Sequence, residues 1–260
     1  MGLFRFGNTM PVMAGVMIVT GGSRGIGAAT AKLAAERGYA VCVNYRAKRD
    51  AAEHVVREIV AAGGRGIAVG ADVAVESEVE RLFATADAEL GPLTALVNNA
   101  GILERQSRVE AIDAARIDRV FATNVRGAFV CAREAVRRMS TARGGRGGAI
   151  VNVSSRAAQL GAPGEYVDYA ASKAALDALT IGLAREVAAE GIRVNGVRPG
   201  IIYTDIHADG GEPGRVDRLG PTLPIQRGGH AIEVARAILW LLSEEASYST
   251  GTFIDVAGGR

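Results

Sequence analysis

The chain has 260 residues, 48% of them hydrophobic, and a formal net charge of only +2, which suits a single domain with one substantial core. Its basic residues are interleaved with acids, which argues against a nucleic-acid footprint, and the one basic glycine-rich run, Arg143 to Gly148, reads as a turn. No apolar run is long enough to span a bilayer, the three His residues lack metal-ligand spacing, and Cys42 and Cys131 form no CxxC pair, as expected of free thiols in a reducing, cytoplasmic compartment.

Residues 1–12 read as an N-terminal extension ahead of one domain, 13–260. Val16 to Thr20 is a short, β-branched apolar run of the kind found in buried parallel strands. It runs straight into Gly21-Gly22-Ser23-Arg24-Gly25-Ile26-Gly27, after which Ile26, Thr30, Leu33 and Ala34 recur at helical spacing until Gly38. Strand, glycine turn and helix together make a phosphate site, because glycines admit a close backbone approach and the helix start presents free amides and a positive dipole end. By itself a glycine-rich turn is a weak signal; its place after the first strand strengthens it.

The spacing of this turn, T-G-x-x-x-G-x-G, resembles that of the short-chain dehydrogenase/reductase family. The resemblance implies a single-domain α/β Rossmann fold, a doubly wound parallel sheet of about seven strands with helices on both faces, and a nicotinamide dinucleotide. Gly21, Ser23, Arg24, Gly25, Ile26 and Gly27 then become expected cofactor contacts.

A second strand, Ala40 to Tyr45, ends without the acid that would accept a hydrogen bond from an adenosine 2'-hydroxyl. Tyr45 and Arg46 stand there instead, with Arg24 in the glycine turn. Two guanidiniums suit a 2'-phosphate, so NADP(H) is expected rather than NAD(H). A helix from about Asp50 to Ala62 and a third strand, Gly66 to Val69, lead to Asp72-Val73, which the resemblance assigns to the adenine. Ser77 to Glu80 reads as a capping box opening the next helix.

Leu93 to Asn98 forms a fourth strand that ends in Asn98-Asn99-Ala100-Gly101, the second motif shared with the family; small residues here admit a ligand, and paired Asn can tie strands together. A long helical pattern follows, from about Ile112 to Met139. Asn124 in its middle is a mediocre helix former and predicts a local bulge or a task. The resemblance implies that it holds a water linking the active-site Lys to solvent.

The fifth strand, Ala149 to Ser154, has Ser155 at its end, 14 positions before Tyr169. Alternation along a strand lets only one of Ser154 and Ser155 face a cofactor, and the family pattern favours Ser155 as the catalytic serine. Tyr169 and Lys173 are four apart on a helix, hence side by side about 6 Å along its axis. A phenol of pKa about 10 is a poor base near neutrality. A cation about 4 Å away is worth on the order of 4 kcal/mol at a surface-like dielectric, about three pKa units, so Lys173 is expected to lower the Tyr169 pKa. An isolated YxxxK is ordinary on a helix surface; the accumulated motifs give this one its meaning.

Strand six, Ile192 to Val197, ends in Arg198-Pro199-Gly200, and the resemblance places Pro199, Gly200, Ile202 and Thr204 at the nicotinamide. Residues 203–229 are rich in Gly and Pro without a clear period and read as a substrate lid. A final helix, about His230 to Leu242, and a strand, Thr252 to Val256, complete the alternation.

The implied activity is reversible hydride transfer between NADP(H) and a carbonyl or secondary alcohol on a small molecule. Tyr169 is the acid/base, Lys173 its modulator, Ser155 the oxygen-binding group and Asn124 the relay. The other reading is a dinucleotide-binding regulatory protein without turnover, though such a binder has no need of all four residues. The resemblance also implies a homo-oligomer, most often a tetramer built on the fourth and fifth helices and the C-terminal segment. The substrate stays open: Gln159, Glu165, Tyr166, Tyr203 and His207 would suit a sugar or polyol, Leu160, Leu219 and Ile225 something more apolar.

Overall fold

The computed structural model describes residues 15–260; the expected extension, 1–12, lies outside the described residues. Seven strands form one parallel sheet in the order β3-β2-β1-β4-β5-β6-β9. β1 (Val16–Val19), β2 (Ala40–Tyr45) and β3 (Arg65–Gly70) make one half; β4 (Leu93–Asn98), β5 (Gly148–Val153), β6 (Ile192–Pro199) and β9 (Phe253–Val256) make the other. The winding reverses between β1 and β4, which opens a crevice at their C-terminal ends, the place where ligands bind in such sheets.

Both faces are covered. On one, α1 (Gly25–Glu36), α2 (Arg49–Ala61) and α10 (Ala231–Leu242) bury Met17, Val41, Val97 and Val151; on the other, α3 (Glu76–Leu90), α5 (Gly127–Met139) and α7 (Val167–Val187) bury Ile18, Cys42, Leu96 and Ile150. Alternate residues of each strand therefore enter opposite cores, which accounts for near-continuous apolar runs. α7 buries Ala170, Ser172, Lys173, Leu176, Leu179, Thr180 and Ala184 against the sheet, while Ala171, Ala174, Ala178 and Ile181 stand exposed on its other side.

Three details differ from the sequence expectations. The pattern from Ile112 to Met139 is two helices, α4 (Ala114–Phe121) and α5, joined by a π-helical turn at Ala122–Arg126. Asn124 sits inside that turn, where the ladder widens. α3 begins at Glu76 without a side-chain cap, so no Ser77 capping box forms; Glu78 instead accepts a hydrogen bond from the Asp72 amide at 2.8 Å. The stretch 203–229 contains two short helices, α8 (Ile206–Asp209) and α9 (Arg215–Leu219), between β7 (Ile202–Tyr203) and β8 (Gly229–His230), which pair in a separate two-stranded ladder. Pieces of two to five residues are too short to show a period. α6 (Ala157–Leu160), just after Ser155, is another such piece.

Candidate active site

A cleft of about 760 Å³ runs along the C-terminal edge of the sheet. It opens at the glycine turn, where helix α1 starts with no side-chain cap and no acid in its first turn, so its free amides point into the cleft. A Cβ on Gly27 would lie 2.4 Å from the Gly21 carbonyl oxygen, so the helix can approach the turn this closely only with glycine there. Gly21 and Gly25 take φ of 61° and 54°, the left-handed region that glycine tolerates. Asn44, a polar residue buried in β2, ties this edge together: its Oδ1 accepts from the Gly21 amide at 3.2 Å and its Nδ2 donates to the Ala71 carbonyl at 2.9 Å. Thr20 Oγ1 accepts from the amides of Asn99 and Ala100, both at 3.0 Å.

The expected contacts Gly21, Ser23, Arg24, Gly25, Ile26, Tyr45, Arg46, Asp72, Val73, Asn99, Ala100 and Gly101 all line this cleft, as do Ser155, Tyr169, Lys173, Pro199, Gly200, Ile202 and Thr204. Gly27 and Asn124 do not; the first lies beneath the turn and the second is fully buried behind it. Arg46 carries no ion pair among the described residues and neither does Lys48, a cleft cation the sequence reading missed. Arg24 departs from expectation: its guanidinium pairs with Asp209 and lies 3.8 Å from Asp205, both on the lid.

Asn98 donates to Asn152 Oδ1 at 2.9 Å across β4 and β5, the tie expected of the paired Asn, while Asn99 Nδ2 bonds the Thr20 and Gly21 carbonyls. Ser154 is buried and donates to the Lys173 carbonyl; Ser155 faces the cleft, accepts from the Ala157 amide at 3.1 Å and reaches the Tyr169 hydroxyl. Lys173 Nζ donates to the Val153 carbonyl at 2.8 Å and lies 5.6 Å from the centre of the Tyr169 ring. Asn124 holds its surroundings by its side chain: Nδ2 donates to the Ile102 carbonyl and to Ser172 Oγ, both at 3.0 Å, and Oδ1 accepts from the Ile102 amide.

The expected effect of Lys173 on Tyr169 is not met in this geometry. Burial pushes the phenol up to about 12, and the group that counters it is the Ser155 hydroxyl. Lys173 is itself pushed down to about 8 by burial, against the pull of Asp177 one turn away. Removal from water dominates both groups, and neither is shifted by the other here, which helical spacing alone does not reveal.

Across the cleft, Arg215 of α9 makes a bidentate pair with Glu165 (3.0 and 2.5 Å), bonds Glu212 at 2.8 Å and stacks over the Tyr166 ring. His207 Nε2 lies 3.1 Å from the Ile202 carbonyl oxygen, which can only accept, so Nε2 carries the proton and the buried Nδ1 is left without a partner. Among the described residues no helix is long and apolar enough to cross a membrane, and no cluster of three His, Cys, Asp or Glu could hold a metal.

This parallel sheet, uncapped glycine turn and serine, tyrosine and lysine on one edge define a nucleotide-binding oxidoreductase scaffold, and comparison with known proteins assigns the family. Residues 21–260 match a family model described as enoyl-(acyl carrier protein) reductase. The chain belongs to the short-chain dehydrogenase/reductase family of oxidoreductases. It is 60% identical over 245 residues to the uncharacterized oxidoreductase YgfF of Escherichia coli K12, covering 94% of this chain and 99% of that one. It is 39% identical over 242 residues to the 3-oxoacyl-[acyl-carrier-protein] reductase FabG of Staphylococcus aureus, covering 93% and 96%. The structure of a short-chain dehydrogenase from Burkholderia cenocepacia J2315 in complex with NADP superposes with a TM-score of 0.88 at 35% identity, covering 96% of this chain and 99% of that one.

Proposed function

We propose that the protein is an NADP(H)-dependent reductase of a small-molecule carbonyl, working reversibly as an alcohol dehydrogenase. The observation that carries this reading is the placement of Ser155, Tyr169 and Lys173 on one wall of the cleft that begins at the uncapped start of α1. The residues present fit a dinucleotide: the glycine cradle leaves room for a backbone approach, and Arg46 and Lys48 offer unpaired charge at the end of β2 for a 2'-phosphate. NADP bound to the Burkholderia relative supports the same choice. Gly21, Ser23, Gly25, Ile26 and the Asn99-Ala100-Gly101 edge would hold the pyrophosphate and ribose, Asp72 and Val73 the adenine, and Pro199, Gly200, Ile202 and Thr204 the nicotinamide.

When bound, NADPH supplies the hydride. Ser155 donates a hydrogen bond to the carbonyl oxygen and orients it. Tyr169, protonated throughout the physiological range, gives its proton to that oxygen. As the phenolate charge develops, Lys173 stabilises it, and this is where the expected effect of the cation on the phenol enters. Asn124 is proposed to hold the relay water through its main chain, since its carboxamide is already committed to Ile102 and Ser172.

The two cysteines are buried thiols, each pushed up to about 12 by burial, in keeping with the cytoplasmic setting proposed here. A homotetramer is the proposed assembly; Ile117, Phe129 and Ile181 are exposed on α4, α5 and α7 and would supply its contact faces.

The test is cofactor oxidation at about 340 nm with a panel of ketones, sugar aldehydes and 3-oxoacyl thioesters, NADPH and NADH in parallel. Turnover is expected with NADPH and is expected to fall by about 10²- to 10⁴-fold in Tyr169→Phe, the usual contribution of a positioned acid. Tight NADPH binding with no turnover across the panel would favour a non-catalytic dinucleotide-binding protein instead.

A further inference from the structure

The cations of the cleft divide into those already neutralised and those that are not. Arg24 pairs with Asp209, Arg119 with Glu104, Arg156 with Asp255, and Arg215 with Glu165 and Glu212. Four cleft cations have no carboxylate partner among the described residues: Arg46, Lys48, Lys173 and Arg260. The first two account for a 2'-phosphate and the third for proton transfer. Arg260 has no task in the reaction as described.

Its place is built rather than incidental. After β9 the chain packs against the Pro199-Gly200 turn, where a Cβ on Gly200 would lie 2.8 Å from Ala257 Cα. It then passes under the lid through Gly258 and Gly259, at φ of 62° and 89°, where added Cβ atoms would meet Ile225 at 2.5 Å and Pro224 at 2.9 Å. Only glycine suits both the backbone and the space, so the pair carries the chain between turn and lid. Arg260 is then held from both sides: its amide donates to the Ala257 carbonyl at 3.2 Å, and its main-chain oxygen accepts from Arg156 Nε at 2.8 Å. Arg156 directly follows Ser155, so this anchors Arg260 beside the reacting end of the cleft. The residue is exposed as a whole, yet the partial removal of its side chain from water and the neighbouring Arg215 guanidinium hold its pKa below the ordinary arginine value, with Arg156 adding to the crowding and Glu165 opposing it.

We propose that Arg260 is the anion-recognition residue of the substrate site, and that the carbonyl substrate carries a carboxylate or phosphate group. This deepens the reading of the cleft as a carbonyl reductase site and rests on it. A planar guanidinium can bind either anion through paired charge-assisted hydrogen bonds. Glu165 does not oppose such a substrate, because Arg215 already occupies both of its oxygens.

The experiment is titration calorimetry of the NADPH-saturated Tyr169→Phe protein, which holds a ternary complex without turning it over. The ligands are 3-oxobutanoate, 4-oxopentanoate, 5-oxohexanoate and 6-oxoheptanoate against their methyl esters, and dihydroxyacetone phosphate against dihydroxyacetone. At least one anion is expected to bind about tenfold or more tightly than its neutral partner, the size expected of a charge-assisted contact. That ratio is expected to collapse towards one when Arg260→Ala is added and to survive in part in Arg260→Lys, with NADPH affinity unchanged. Preference for an oxo acid or for the phosphate tells the two anion sources apart. No anion preference anywhere in the series, or a preference that survives Arg260→Ala, overturns the proposal. NADPH oxidation by the unsubstituted protein with both the anionic and the neutral member of each pair tests the reaction separately: turnover without anion preference removes the subsite alone, and anion preference without turnover of any member removes the reductase reading.

Discussion

The sheet edge around Gly21, Asn99 and Ser155 is fixed by main-chain bonds and buried amides, whereas the lid opposite has only a small apolar cluster of Ile201, Val216 and Leu223 and relies besides on ion pairs between side chains, many of them exposed. On the edge, Thr20, Asn44, Asn98 and Asn152 are all buried, and each bonds a neighbouring strand or turn. On the lid, Arg218 pairs with Glu212, Tyr203 bonds Asp217 at 2.9 Å, and Arg24 reaches across to Asp209 with both side chains well exposed. Buried networks are expensive to disturb, while exposed pairs contribute about 0–1 kcal/mol and weaken with salt. Chemistry that depends on the position of a hydroxyl to a fraction of an ångström sits on the stiff side. The access and selectivity proposed for the lid would sit on the side that yields.

Substitutions on the two sides should separate accordingly. Ser155→Ala removes the donor proposed to face the substrate oxygen and is expected to lower kcat by about 10²- to 10³-fold with cofactor KM unchanged, as loss of an oxyanion-type donor does. Measuring both constants would break the comparison if KM for NADPH rose instead, because Ser155 would then be organising the cofactor edge. Asp209→Asn acts on the yielding side. It frees Arg24 from its lid partner, and the expected change in NADPH KM is less than about fivefold, with added salt shrinking it further. A salt-independent change of more than tenfold would mean that the lid and the glycine turn behave as one stiff body.

Much of the stiff side was legible in the sequence because its signals are local. The glycine turn follows its strand directly, Asn98 and Asn99 end another, Tyr169 and Lys173 are one helical turn apart, and the poor helix propensity of Asn124 marked the place where the π turn lies. What escaped depends on distance along the chain. Arg215 meets Glu165 50 residues away, and Arg116 forms a buried bidentate pair with Asp168, 52 residues away, just before Tyr169. The lid helices were missed because a four- or five-residue helix shows no period. The direction of the Tyr169 shift was missed because spacing predicts the attraction between two groups but not how far each is removed from water.

The direct test of the central claim, a protonated Tyr169 acting as acid beside a charged Lys173, is the pH profile of kcat/KM for NADPH-dependent reduction between about pH 6 and about pH 10, which reports the groups of the free enzyme. Tyr169, held up at about 12, stays protonated across this range, and Lys173 loses its charge near about 8. A cation with a lowered pKa acts below that pKa and is lost as pH rises through it. The predicted profile is therefore level to about pH 8 and then declines towards about tenfold per pH unit. A rate that climbs through pH 8 would show that losing a proton activates the reduction, and would contradict the assignment.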